Sequence, residues 1–511
     1  MSLGRTFAVS LMGLRGHLVE VEADIGQSLP SFQILGLPDA SLQEARERIR
    51  AAALNSGIPL SQRRITVNLL PAPLPKRGSA FDLAIVMAAL QAARDVRDSG
   101  LTVFLAELGL DGRLRPVRGV MPAVLAAVKA GHRDIVVAEA NAAEAQLVPG
   151  ARVSGFASLG QVACAFGADP QHLVLDLEPI VTAHAEPRRQ QLVADLSEVA
   201  GQDEARLALE VAAAGGHHLL LTGPPGSGKT MLAERLPGIL PDLTDEEAME
   251  VAAIHSLSRL TGGVSVLDRR PPFEQPHHSA SVAAVIGGGS GMPRPGAASR
   301  AHRGVLFLDE APEYDRRVLD GLRQPLECGE LVLQRAAGVA SYPARFQLVL
   351  AANPCPCGQA SGKGKDCSCT PQVRRRYFGK LSGPLLDRVD IQLAVPRLSV
   401  AQLAQRSQGE PSSTVAARVS AAQQRSRRRL AEYSLGFNAE VPGPLLRGAL
   451  RLPGGSTQIL NTALERGLLS ARGYDRVLRI SWTLADLAGL EQPGAEQIGL
   501  ALSLRQQGAA R

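Results

Sequence analysis

Aromatic residues are scarce in this chain, with one Trp, five Tyr and eleven Phe among 511 residues. That scarcity disfavours a surface that stacks successive bases on many rings. Lysine is rarer than the basic total suggests: six of the 55 basic residues are Lys and the other 49 are Arg. A GC-rich coding sequence accounts for that bias as readily as any partner does. Apolar runs near the roughly 18 residues of a membrane span are missing. The longest candidate, around Ala84–Leu90, has the length of a buried helix. A secretory layout is missing too, because Arg5 and Arg15 flank only a short apolar stretch with no small-residue cleavage site behind it. A cytoplasmic protein without a membrane partner is expected. Cysteine numbers six, so in a reducing compartment a disulfide scaffold is excluded.

What remains is ordinary in proportion. Hydrophobic residues make up 45% and charged residues 20%, which excludes a disordered chain or a coiled-coil rod. The length predicts about three domains. Net charge is +6, which permits an anionic partner without demanding one.

The pattern along the chain divides it into an α/β segment over 1–165, a linker over 166–192, a second α/β segment over 193–396 and a helical segment over 397–511. In the first, Ser31–Leu35, Arg64–Leu70 and Val103–Leu108 read as strands, and helical spacing covers Phe81–Ala93. The linker carries Pro170, Pro179 and Pro187 and the polar run Arg188-Arg189-Gln190-Gln191.

The sharpest motif opens the second segment. Leu219–Thr222 is a buried-strand run, followed by Gly223-Pro224-Pro225-Gly226-Ser227-Gly228-Lys229-Thr230 and a helix. This is a phosphate-binding loop in the strand–loop–helix context the motif requires. Its glycines let backbone N–H groups close around phosphates, and the helix N-terminus adds partial positive charge. Lys229 is expected to reach the β- and γ-phosphates of ATP, and Thr230 to ligate Mg²⁺. Downstream, Gly304–Glu310 is an apolar strand ending in the two acids Asp309 and Glu310. Asp309 is placed in the Mg²⁺ shell, and Glu310 is the candidate to activate water. A third apolar strand, Phe346–Ala352, ends at Asn353, a polar residue suited to position that water. Arg388 follows the core sheet and is poorly placed for its own site. In a ring it could serve a neighbour's site as an arginine finger.

These residues lie within longer strings that resemble a AAA+ ATPase of the magnesium-chelatase-like branch, and the whole chain resembles the ComM/YifB family. The strings include Gly36-Leu37-Pro38-Asp39, Arg63–Leu69, Ala214-Gly215-Gly216-His217-His218, Pro276-His277-His278, Gly287-Gly288-Gly289, Ala301-His302-Arg303-Gly304, Leu322–Glu327 and Asn353-Pro354-Cys355-Pro356-Cys357-Gly358. The resemblance runs from about residue 5 to 490. It implies a Lon-protease-like N-terminal α/β domain, a AAA+ core with a parallel sheet and a C-terminal helical lid. It also implies a homohexameric helicase that moves branched DNA during recombination in natural transformation, with ATP sites between subunits and Arg388 acting in trans. A further arginine acting in cis is implied from the lid, with Arg472 the first choice and Arg476 the second. The stretch from Gly329 to Pro343 reads independently as a β-hairpin, and the resemblance points it into a ring pore, where Arg335 could meet DNA phosphate. One departure stands out: after Pro295-Gly296 the family usually has an acid, and this chain has Ala297-Ala298-Ser299-Arg300.

Lon-like proteolysis uses a Ser–Lys pair. Here Ala80 falls at the nucleophile's place and Met121 at the lysine's, so peptidase activity is not expected. Ser79 with Lys76 is the fallback pair, poorly placed within one turn. Cys355, Cys357, Cys367 and Cys369 form a C-x-C…C-x-C set around a Gly- and Lys-rich spacer, and four thiolates can close a structural Zn²⁺ site. His217, His218, His277, His278 and His302 do not pair at helical metal spacing and are expected to be structural or close to the pore. Basic runs occur at Arg374-Arg375-Arg376 and at Arg425–Arg429. Two readings stay open, a motor on DNA and a chelatase- or chaperone-like ring that remodels a protein. The pore insert Gly287–Gly296 holds no aromatic residue, which favours DNA.

Overall fold

The computed structural model describes residues 3–36, 40–76, 78–180, 194–258, 266–289, 293–335, 338–360, 367–398 and 409–506. Two sheets organise the chain. The first has seven strands in the order Ser31–Leu35, Arg64–Leu70, Arg15–Gly26, Leu3–Met12, Val103–Leu105, Asp134–Ala138, Arg152–Phe156. Its centre is the long antiparallel hairpin of Leu3–Met12 with Arg15–Gly26, and the remaining strands extend from it on either side. That hairpin has a polar face at many alternate positions, so it does not stand out as an apolar run.

Alternation along these strands feeds two cores. Ala8, Val19, Val21 and Ala23 face the helices Ala40–Asn55 and Asp82–Ala93, whereas Phe7 and Val9 face the helix Val120–Lys129. Nearly every residue of Asp82–Ala93 is buried, which explains its unbroken apolar sequence. Gly4 permits that packing, because a Cβ there would fall 1.9 Å from the Ala88 carbonyl oxygen.

The second sheet has five strands, all parallel, in the order Phe273–Glu274, Val305–Leu308, Gln347–Ala352, Leu219–Thr222, Ile391–Ala394. Numbered along the chain, that order is 2-3-4-1-5. Burial on both faces accounts for the apolar runs of the three central strands. One face supports the helices Ser412–Leu430 and Ala471–Ala488, whose Val415, Val419, Val477 and Ile480 share a core with Leu219, Leu221 and Phe307. The helical lid is therefore anchored in the sheet's own core. The other face packs on the hairpin Glu330–Arg335 with Gly338–Pro343, through Leu331, Leu333, Ala340 and Tyr342.

The first sheet's unit joins the second through the helix Asp245–Ser258, whose Ala252 and Ala253 enter its core. Gly119 N–H donates to Ser256 O at 3.2 Å across this junction. Among the described residues no helix is long and apolar enough to cross a membrane.

One expectation needs correcting. The start of the 166–192 linker is packed: Val174 N–H donates to Ser56 O at 3.1 Å and Gln161 Nε2 to Leu175 O at 3.0 Å. Phe166 and Leu173 supply the reason, since both pack against the first domain's core. Residues 181–192 of that linker lie outside the described residues.

Candidate nucleotide site and cysteine cluster

The strand order decides what meets at the carboxyl edge of the parallel sheet. Gln347–Ala352 separates the strand of the phosphate loop from the strand of Asp309, so Asn353 emerges between the two motifs. In open α/β sheets this edge, where the strand order reverses, is where ligands bind. The loop conforms to its motif: Gly226 and Gly228 adopt φ of 74° and 88°. A Cβ on Gly223 would fall 2.3 Å from Val395 O. The helix Lys229–Arg235 follows directly.

Lys229 Nζ donates to Gly223 O at 2.8 Å, Pro224 O at 3.0 Å and Asn353 Oδ1 at 3.2 Å. Burial lowers its pKa, opposed by the nearby charges of Asp309 and Glu310. Thr230 Oγ1 donates to Asp309 Oδ2 at 2.7 Å, so the two oxygen donors expected for Mg²⁺ already share one place. Asp309 Oδ1 accepts from Glu310 N–H at 2.8 Å. Glu310 itself takes a left-handed φ of 50°, a conformation that costs energy for a residue with a side chain.

Two side chains here were not anticipated as site residues. His278, just past the edge strand Phe273–Glu274, places Nδ1 3.1 Å from Glu310 Oε2. Tyr314 Oη anchors that loop by donating to Pro276 O, and the His277 ring lies 4.2 Å from that of His278, tilted by 33°. Gln202 Nε2 donates to Ser227 O at 2.7 Å, steadying the loop from the start of the helix Asp203–Gly215. The signal available for His278 was its position after a strand of the same sheet, which puts it on the same edge. The other histidines are tied into packing. His217 bridges Asp390 (2.9 Å) and Thr483 (2.7 Å), His218 Nδ1 accepts from Leu348 N–H at 3.0 Å, and His302 Nδ1 accepts from Arg345 N–H at 3.1 Å.

Arg388 pairs with Glu327 and donates to Pro384 O at 2.5 Å. Arg472, on the lid helix, pairs with Asp387 at 2.8 Å. Arg476 is buried 3.3 Å from Asp390, and desolvation lowers its pKa to about 10. The acids on either side of the Arg388 segment thus hold the lid's two arginines. Among the described residues no hydrogen bond or ion pair joins Arg388 or Arg472 to the phosphate loop, Asp309 or Glu310.

The four cysteines converge, with their Sγ atoms all within 4.8 Å of one another. Cys355 lies 3.3 Å from Cys357 and 3.6 Å from Cys367, and Cys357 lies 3.6 Å from Cys367. Tetrahedral Zn–S bonds of about 2.3 Å place sulfurs roughly 3.8 Å apart. The donor set therefore fits zinc after small adjustments. The Gln359 backbone N–H draws the Cys357 thiol down to about 6. The spacer residues 361–366 lie outside the described residues.

The fallback protease pair is divided between separate partners. Lys76 is fully buried, with Nζ donating to the carbonyls of Gly36 (2.9 Å), Ala72 (3.3 Å) and Pro71. Ser79 Oγ donates instead to Glu107. Ala80 sits in the short turn Ser79–Phe81, and Met121 is buried in the helix Val120–Lys129.

Basic residues gather where the hairpin, the insert and the first domain meet. Tyr342 Oη donates to Pro293 O at 2.5 Å, tying hairpin to insert. A Cβ on Gly288 would lie 3.3 Å from Arg335 Nη2, so that guanidinium rests over the insert. Arg294 is exposed nearby, and the pKa of Arg118 is lowered by burial and then by the charge of Arg294. The Arg425–Arg429 run is less available than its sequence suggests. Arg425 donates to Asp486 O at 2.6 Å, and Arg429 pairs with the Asp486 carboxylate while lying 4.4 Å over the Trp482 ring.

A five-stranded parallel sheet in this order, with a phosphate loop, paired acids and a polar residue between them, defines a P-loop ATPase with a helical lid. The comparisons agree. The description "Magnesium chelatase, subunit ChlI" matches residues 195–403, "Subunit ChlI of Mg-chelatase" matches 21–141, and the ChlI C-terminal description matches 409–505. An uncharacterized protein of Mycobacterium tuberculosis is 52% identical over 513 residues, covering 100% of both chains. Competence protein ComM of Haemophilus influenzae is 41% identical over 508 residues, 99% of this chain and 98% of its own. YifB of Escherichia coli is 41% identical over 490 residues, 95% and 94% of the two chains. A stretch of 155 residues is 31% identical to the Lon protease of Mycolicibacterium smegmatis, 29% of this chain and 20% of that one. The chain belongs to the ComM/YifB family, within the magnesium-chelatase-like AAA+ ATPases.

Proposed function

We propose that this chain hydrolyses ATP with Mg²⁺ as a subunit of a cytoplasmic homohexameric ring that moves DNA. Its work would be that of a helicase promoting branch migration when incoming DNA recombines during natural transformation. In this reading Lys229 holds the β- and γ-phosphates, Thr230 and Asp309 hold Mg²⁺, and Glu310 activates water beside Asn353. Arg388 completes a neighbour's site, and Arg472 swings from Asp387 to its own. Cys355, Cys357, Cys367 and Cys369 hold a structural Zn²⁺. The printed name of the Haemophilus relative, a competence protein, agrees with the setting.

The observation that carries DNA over a protein substrate is the meeting of Arg335, Arg294 and Arg118 at the hairpin–insert junction. Guanidinium groups suit phosphate, and neither the insert nor the hairpin tip offers the aromatic wedge that grips a polypeptide. The pairing of Arg388 with Glu327, outside its own site, supports a ring in which the finger is delivered across an interface.

The test is the ATPase rate with and without forked or four-way-junction DNA at two salt concentrations, followed by strand displacement. Stimulation that weakens with salt, together with ATP-dependent branch movement, is the expected result. An ATPase that no DNA stimulates would sink the DNA reading and leave the protein-remodelling ring.

A further inference from the structure

The turn that carries Cys355 and Cys357 touches the phosphate loop at both of its ends. At its start, Asn353 Oδ1 accepts from Lys229 Nζ at 3.2 Å. At its close, Gly358 has a left-handed φ of 76°, and a Cβ there would lie 2.5 Å from Pro225 Cδ and 2.6 Å from Cγ. The Pro225 ring therefore rests directly on the Gly358 backbone. Between these contacts the turn is closed by Gly358 N–H donating to Cys355 O at 2.9 Å.

The other two cysteines lead into a helix that returns to the same place. Thr370 caps the helix Pro371–Phe378 by accepting from Val373 N–H at 3.4 Å, and Arg374 Nε donates to Cys369 O at 3.2 Å. Near its end Tyr377 is buried; burial and then the charge of Glu313 raise its pKa, and the Asn353 backbone N–H opposes the shift. The cysteine cluster thus joins two segments that converge on Asn353. Thiols alone would hold this junction weakly, since S–H is a poor donor and sulfur a poor acceptor. A metal replaces those contacts with bonds of fixed length and angle.

We propose that Zn²⁺ bound by Cys355, Cys357, Cys367 and Cys369 is a buttress of the nucleotide site, fixing Asn353 and Pro225 and so setting the affinity of the phosphate loop for nucleotide. This rests on the zinc assignment above and extends it from a fold-holding ion to one that tunes ATP binding. Freeing the backbone of even one loop residue is worth roughly tenfold in an equilibrium constant. Metal loss should therefore weaken nucleotide binding by about that factor while the parallel sheet stays folded.

The experiment uses the full-length protein purified without chelator. Zinc is measured by elemental analysis, and affinity for a fluorescent ADP analogue is titrated in Mg²⁺ before and after stripping with a zinc-selective chelator, then after ZnCl₂ is returned. About one zinc per chain, roughly tenfold weaker binding after stripping, and recovery with zinc are expected. Gly358→Ala gives an independent readout in zinc-loaded protein: it should keep its zinc yet lose nucleotide affinity, because its Cβ displaces Pro225. If zinc is present and its removal leaves affinity unchanged, the buttress is overturned while the zinc site stands. Loss of affinity that zinc does not reverse, or a Gly358→Ala protein with unaltered affinity, also overturns it. Protein that contains no zinc overturns the assignment on which the proposal rests.

Discussion

His278 Nδ1 lies 3.1 Å from Glu310 Oε2, so the Glu310 carboxylate is held by a residue from the edge of the sheet. Glu310 emerges with a left-handed backbone, and Tyr314 pins the His278 loop through Pro276. Glu310→Gln should bind ATP normally and lose about 10²–10⁴ in turnover, the usual weight of a positioned base. His278→Ala should lower kcat about tenfold with little change in nucleotide Kd, because it frees the carboxylate without removing it. His278→Asn, which keeps a donor, should recover part of that loss. Equal turnover in His278→Ala and wild type would separate the histidine from hydrolysis.

Lys229 occupies the loop by donating to Gly223, Pro224 and Asn353. Lys229→Ala should abolish nucleotide binding while leaving the fold intact. Thermal shift reads this directly. Ligand at about 100 times Kd stabilises a protein by roughly 2.7 kcal/mol, so ATP should raise the wild-type Tm and leave the variant's unchanged.

Arg388 is paired with Glu327 within the chain. Arg388→Ala should lower turnover in assembled rings by about 10³ or more, the scale of an arginine finger. Rings mixed from Arg388→Ala and Lys229→Ala chains should regain some activity, since each interface with the loop of an Arg388→Ala chain and the finger of a Lys229→Ala chain is intact. Unchanged turnover of Arg388→Ala in an assembled ring would remove the trans assignment.

Arg335 and Arg294 sit on the hairpin and the insert that it covers. Replacing either with Ala should weaken DNA binding evenly across sequences and reduce the salt slope by about one per lost phosphate contact. Nucleotide affinity should not move. Filter binding at several salt concentrations checks both statements.

Desolvation lowers the pKa of His218 to about 4, and its Nδ1 already accepts a backbone N–H from Leu348. Protonation would cost that acceptor. Because the folded value is depressed below the ordinary 6.5, the unfolded chain binds the extra proton first. This contribution to stability is complete above about pH 6.5 and is lost as pH falls toward 4. Denaturant unfolding across that window should show the loss, and His218→Gln should show a shallower slope.

The sequence by itself determined the phosphate loop, the paired acids and the alternation of strands with helices. These are short-range features: a strand, a glycine-bearing turn and a helix N-terminus lie in one continuous stretch, so residue types at fixed spacing specify their geometry. The hairpin within Gly329–Pro343 was legible for the same reason. Tertiary structure alone decided what reaches those motifs. Strand order set Asn353 between the two motifs and brought His278 to Glu310. The packing of Phe166 and Leu173 turned the start of a proline-bearing linker into part of the first domain. Folding also joined Arg425 and Arg429 to Asp486, taking charge away from a run that looked free, and set Gly358 beneath Pro225. Each of these contacts depends on which elements become neighbours. That choice is made by burying whole faces of sheets and helices together, and no local pattern of residues encodes it.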